Sequence, residues 1–173
     1  MAEAFWYFMC YSFLGCLLEK AFARAVRAPH RRRRCCLLLP LCPVYGLGLL
    51  AVLALPAAWR SGLWVVLTGA VVTTAVEYAV HWACQRFLGV AFWDYSQTPG
   101  NLNGRVCLPF SLAWGGLTAL TLWWIHPLLA ALTAQIPPLV TYAALLVFTV
   151  DAVCSLQFLR VTHDVEALRG PGG

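Results

Sequence analysis

The sequence predicts an all-α integral membrane bundle of five transmembrane helices, with the N-terminus outside and the C-terminus in the cytoplasm. Three observations carry that prediction. Of the 173 residues, 61% are hydrophobic and only 11% charged, against about 25% charged in soluble domains. Charge-free runs recur at lengths near the roughly 20 residues that cross a bilayer. The basic residues gather in blocks on alternate loops, as the positive-inside rule requires. The net charge of +5 is therefore topological. A nucleic-acid binder spreads Lys and Arg over a folded face, so no nucleic-acid partner is expected.

The spans follow in order. The first, Ala4 to Leu18, has no basic segment before it and no small-residue cleavage site after it, so it reads as a retained helix rather than a signal peptide. Lys20, Arg24, Arg27 and Arg31 to Arg34 then form a cytoplasmic loop. The second span, Cys35 to Trp59, begins with Pro40, Pro43, Tyr45, Gly46 and Gly48. Prolines and glycines at membrane depth imply irregular backbone that is buried in protein or faces water. The third span, Gly62 to Gln85, ends at Arg86.

Between Arg105 and Asp151 no charged residue occurs, a run too long for one span. Gln135-Ile136-Pro137-Pro138 breaks it, because proline lacks the donor a helix interior requires. That leaves Val106 to Leu132 and Pro138 to Leu159 as spans four and five, with His126-Pro127 read as a helix terminus. The transmembrane domain covers residues 1–161, followed by a short cytoplasmic tail, 162–173, that carries Arg169. The chain is thus a multi-pass protein of the cell membrane. Five spans do not divide into two equal inverted halves as in many transporters.

The eight cysteines form no CxxC pair and no zinc-site spacing. They read as small packing residues, with acylation of Cys35-Cys36 beside the arginine block as a second reading. No metal or cofactor is expected.

Carboxylates inside a span cost roughly 2.5–3.5 kcal/mol at mid-helix, so each demands a reason. Glu19 closes the first helix. Glu77 lies roughly 13 Å inside Arg86, and Asp151 a similar depth inside Arg160, at about 1.5 Å per residue. Ser12, Gly15 and Glu19 share one helical face; Thr73, Glu77, His81 and Gln85 step by four along another; Asp151 and Ser155 do the same. These stripes predict an inward-facing polar cavity open to the cytoplasm, with Glu19, Glu77, His81 and Asp151 contacting a substrate, cation or proton.

The stretch FWDYSQTPGNLNGR, 92–105, lies on the same side. Phe92, Trp93 and Tyr95 suit the interfacial belt, with rings in lipid. Asp94 and Ser96 suit a turn, Pro99-Gly100 a break, and Asn103-Gly104 a tight turn. Arg105 at the cavity mouth pairs with Asp94, Glu19 or Glu77, or holds an anionic group. Asp94, Asn101, Asn103 and Arg105 therefore join the candidate site, with Tyr45, Gly46, Trp93 and Tyr95 as its structural frame. Ser111, Gly115 and Ala119 give the fourth helix a small face for close approach.

Taken together, Tyr11-Ser12 with Gly15 and Glu19, Pro40-Leu41-Cys42-Pro43-Val44-Tyr45-Gly46-Leu47-Gly48, Glu77-Tyr78, Trp93-Asp94-Tyr95-Ser96, Asn101-Leu102-Asn103-Gly104-Arg105 and His126-Pro127 resemble the ABC-transporter type IV, or CmpB-like, family. The likeness covers nearly the whole chain. It implies a small multi-pass membrane protein of the transporter-permease kind. The family tends to carry a second acid where this chain has Gln85. No GxxxxGK[ST] loop occurs and Lys20 is the sole lysine, so ATP coupling requires a separate ATPase subunit. Five helices make a thin wall for a path, so a homo-oligomer or a membrane partner is expected. Two other classes stand beside the permease: an intramembrane lipid-acting enzyme, against which no HExxH or GxSxG motif occurs, and a non-catalytic assembly factor.

Overall fold

A computed structural model describes residues 2–26 and 37–165. Arg27, Arg31 to Arg34, Cys35, Cys36, Arg169 and most of the tail lie outside the described residues. The architecture is all-helical: α1 (Ala2–Ala25), α2 (Pro43–Leu53), α3 (Trp64–Leu88), α4 (Leu108–Leu120), α5 (His126–Thr133) and α6 (Pro138–Thr162). A small hairpin, β1 (Asn101–Leu102) with β2 (Val106–Cys107), precedes α4 and pairs Asn101 with Cys107 and Leu102 with Val106. Neighbours in sequence are neighbours in space, α1 on α2, α2 on α3 and α3 on α4, while α6 lies more loosely against α1 and α3.

Among the described residues three helices are long and apolar enough to cross a membrane: α3, the continuous 26-residue helix from Leu108 to Thr133, and the 25-residue α6. Much of their large apolar surface faces outward, as at Leu139, Leu146 and Leu112. In water such a surface would be an association hazard; in lipid it is the solvated face. At 24 residues, α1 has the length, but its aromatic-rich sequence, with Glu3, Glu19, Lys20 and Arg24 within it, falls short in apolar character.

The stretch from Cys35 to Trp59 differs from one spanning helix. Its α-helical part is α2, only 11 residues or about 16 Å at 1.5 Å per residue, against roughly 30 Å of hydrocarbon, and a short 3-10 turn, Ala57–Arg60, follows separately. Prolines set both limits. Pro43 has no N–H to continue a helix inward from 42, and Pro56 stands just beyond the C-terminal turn. The lead-in from Leu37 to Cys42 is irregular and its Leu37, Leu41 and Cys42 are buried, as the prolines at membrane depth require.

His126-Pro127 also differs from expectation: the helix does not end there. Residues Thr121–Ile125 form a π turn, the His126 N–H donates to the Thr121 carbonyl, and helix continues to Thr133. The wider turn absorbs the donor that Pro127 lacks. The Pro137-Pro138 break falls where the sequence places it, with α5 ending at Thr133 and α6 starting at Pro138.

Two glycine contacts set the helix spacing that positions the site. A Cβ on Gly46 would collide with Ser12 Oγ and Phe8 across the α1–α2 crossing, and one on Gly115 with the Val66 carbonyl across α3–α4. The small face of α4 thus serves close approach at Gly115.

Candidate functional site

The α3 stripe turns inward. Thr73, Glu77 and His81 are buried, Glu77 completely at 0% exposure, while Gln85, one turn further on, is exposed. A carboxylate at such depth survives only with donors around it. Trp114 Nε1 on α4 donates to Glu77 Oε2 at 2.8 Å, and the Tyr95 hydroxyl donates to Oε1 at 3.3 Å. His81 lies beside Trp93 with ring centroids 4.9 Å apart, edge to face.

Glu19 joins the group through an aromatic pair. The Tyr45 ring packs on Trp114 at 4.7 Å between centroids, and the Tyr45 hydroxyl donates to Glu19 Oε1 at 2.7 Å. Tyr45 fits because residue 15 is glycine; any Cβ there would strike the tyrosine ring. Cys16, Cys42 and Val44 complete the apolar packing around the pair. Two acids from α1 and α3 are thus held on either side of one Tyr45–Trp114 contact.

The third acid stands apart. Asp151 accepts the Leu39 N–H at 3.3 Å and the Ser155 hydroxyl at 3.4 Å, while Ser155 Oγ accepts the Leu38 N–H at 3.2 Å. These bonds run to the irregular lead-in of α2, not to Glu77 or Glu19. Backbone N–H groups with no helix to satisfy them need acceptors at membrane depth, and α6 supplies two. The Cys42 N–H finds a third in the Ser12 carbonyl, at 2.8 Å.

Residues 92–107 fold back over the end of the bundle. Phe92 and Tyr95 are buried in protein rather than lying in lipid as interfacial rings. Folding back lets Phe92 pack with Leu88 and Leu159, and Tyr95 stack on Phe110 at 5.1 Å. The polar residues hold that shape. Asp94 accepts the Ser96 N–H at 2.8 Å and its hydroxyl at 3.0 Å, and Asn101 donates to the Ser96 and Thr98 carbonyls and accepts the Gly104 N–H. Asn103 and Gly104 take φ of 54° and 67°, a left-handed pair that Asn-Gly favours, at the centre of the turn that the Arg105 N–H closes on the Leu102 carbonyl at 3.1 Å within the three-residue loop between Leu102 and Val106. The Trp93 indole donates to the Arg105 carbonyl at 2.8 Å.

Arg105 does not pair with Asp94, Glu19 or Glu77. Its Nε donates to Gln85 Oε1 at 3.0 Å and its Nη1 to the Tyr78 hydroxyl at 2.7 Å, where Asn103 Nδ2 also donates at 3.0 Å. The hairpin leaves the guanidinium above Tyr78, and Asp94 already serves its own turn. The structure therefore brings together Glu77, Glu19, His81, Tyr45, Trp93 and Tyr95, places Asn103 and Arg105 at the rim, and uses Asp94, Asn101 and Asp151 for backbone. Trp114 joins the arrangement through its bond to Glu77, and Tyr78 and Gln85 through theirs to Arg105; Trp114 sits in an apolar run with nothing in sequence to mark it. Among the described residues no group of three or more His, Cys, Asp or Glu is placed to hold a metal ion. The six described cysteines are free thiols, with Cys16, Cys42 and Cys107 buried.

Spanning-length apolar helices around a buried acid held by an indole and a phenol define a helical membrane protein with a polar centre. The chain belongs to the family described as "Putative ABC-transporter type IV", which matches residues 6–156. No curated protein and no solved structure matches it.

Proposed function

We propose that this chain is the membrane-embedded, permease-type subunit of a transporter, with Glu77 at the centre of its working site. One observation supports the reading above others: a fully buried acid in a spanning helix, held by an indole and a phenol from two other elements. An acid kept at that depth by purpose-placed donors marks an ion or substrate path more readily than helix packing does. Glu19 and His81 contribute contacts to the same centre, and Tyr45, Gly46, Trp93 and Tyr95 frame it. Asp94, Asn101, Asn103 and Arg105 shape its cytoplasmic rim, and Asp151 holds the backbone of the α2 lead-in at its side.

In this reading the chain crosses the cell membrane five times, N-terminus outside and C-terminus inside. The second crossing combines the irregular 37–42 segment with α2. At up to about 3.3 Å per residue for the six irregular ones plus about 16 Å of helix, it has contour enough for a roughly 30 Å layer. A second copy or a membrane partner completes the wall, and a separate ATPase subunit supplies any ATP coupling.

The test compares the detergent-purified mass of wild type and Glu77→Gln, identifying co-purifying proteins and lipids by mass spectrometry, with uptake into liposomes as the activity readout. Loss of a companion or of uptake from a still-folded variant supports the proposal. Identical assemblies and identical uptake would place Glu77 among purely structural residues.

A further inference from the structure

A second feature lies outside the Glu77 centre, on the lipid side of the α3–α4 pair. Between these helices and the hairpin runs an apolar groove of about 540 Å³, with Val71, Ala75, Tyr78, Val106, Leu108 and Leu112 along it. That volume lies within the range of small-molecule sites, about 300–1,000 Å³. The groove opens outward, for Val71 and Leu112 are 63% and 65% exposed. From Val71 to Tyr78 it descends roughly 10 Å along α3, comparable to the roughly 15 Å depth of one leaflet's hydrocarbon.

The groove changes character at one end. Tyr78, which lines it, accepts from Arg105 Nη1 at 2.7 Å and from Asn103 at 3.0 Å, and the Arg105 Cζ sits 5.0 Å from the Tyr78 ring centroid. Gln85 takes Nε, so the guanidinium is oriented by two side chains while Nη2 has further donors to offer. A fixed cation at the mouth of an apolar trough matches one kind of molecule: a negatively charged headgroup carrying an acyl chain.

We propose that this groove binds an anionic glycerophospholipid, its phosphate on Arg105 and one acyl chain along Val71, Ala75 and Leu112. The mouth lies at the end of the bundle that carries Arg86 and Arg105, the end facing the anionic cytoplasmic leaflet in a positive-inside arrangement. Planar guanidinium suits a phosphate diester better than an ammonium does. The site does not depend on what Glu77 does.

Native mass spectrometry of the intact chain in detergent, titrated with phosphatidylglycerol or phosphatidylcholine of matched acyl chains, tests it. Wild type is expected to retain phosphatidylglycerol at least tenfold more tightly, since the choline cation of phosphatidylcholine offsets the phosphate charge that Arg105 meets, and a charge-assisted hydrogen bond is worth roughly ten- to a hundredfold in affinity. Arg105→Gln should reduce phosphatidylglycerol to the phosphatidylcholine level. Ala75→Phe, at an exposed position, should fill the trough and weaken both lipids, and it serves alone if the arginine variant fails to fold. Equal retention of the two lipids by wild type, a preference that survives Arg105→Gln, or unaltered binding in Ala75→Phe would overturn the proposal. So would displacement by equimolar glycerol phosphate, which would mean a phosphate site with no use for the groove.

Discussion

Gly46→Ala tests whether the α1–α2 contact sets the geometry of the whole centre. The added methyl would meet Ser12 Oγ, and it would lie 2.7 Å from both the Phe8 ring and the Phe8 carbonyl, where ordinary contact begins at 3.4 Å. A side chain can turn aside, but the carbonyl belongs to the α1 backbone, so the helices must part by about 0.7 Å locally. Overpacking of this kind costs about 1–3 kcal/mol. At about 2–4 °C per kcal/mol for a chain of this size, the melting temperature should fall by roughly 2–12 °C. The separation also pulls Tyr45 away from Glu19, one residue from the substitution. The assay is thermal unfolding in detergent followed by intrinsic tryptophan fluorescence. Gly116→Ala is the matched control, because its Cβ would meet nothing within 4 Å and the helix itself gains about 0.5–1 kcal/mol from alanine. A Gly46→Ala protein melting within 1 °C of wild type, or a Gly116→Ala protein falling equally far, would refute the reasoning.

Three further outcomes are expected. Asp151→Ala should destabilise by about 1–3 kcal/mol, the cost of leaving a buried donor unmet, and speed amide exchange at Leu39, whereas unchanged exchange there would remove Asp151 from its backbone role. Trp114→Phe and Glu77→Gln should be non-additive in unfolding free energy, with a coupling of at least about 0.5 kcal/mol because the two side chains share a bond; simple additivity would deny that the 2.8 Å contact matters. Gly104→Val places a β-branched residue at φ 67° with its Cβ against Asp94 and should cost about 1–3 kcal/mol, visible as earlier proteolytic nicking within 92–105; a wild-type digestion pattern would count against the hairpin.

Much of the bundle was legible in the chain because its rules are local. Hydrocarbon length and charge marked the apolar runs, Pro137-Pro138 marked a break, and the four-residue step through Thr73, Glu77 and His81 marked an inward face, since a helix repeats its direction every turn. Asn103-Gly104 announced a turn because few residues tolerate positive φ. The resemblance to a transporter family rested on short segments readable in order. Local rules erred where compensation came from elsewhere: Pro127 does not end its helix, because a π turn takes up the missing donor, and Cys35 to Trp59 does not form one helix, because proline stops it at both sides.

What the sequence by itself determined, then, was the inward face through Thr73, Glu77 and His81, though not its continuation to the exposed Gln85, and that intramembrane acids need partners. Which partners they have was decided only by the tertiary structure. Among the donors to Glu77, Glu19 and Asp151 are Trp114, Tyr45 and the Leu39 backbone, 37, 26 and 112 residues away along the chain. Periodicity specifies a direction on one helix but carries no information about the element that arrives opposite. That meeting depends on how closely helices approach, and here two glycines and a folded-back hairpin decide it, so that one acid serves backbone while two share an aromatic contact.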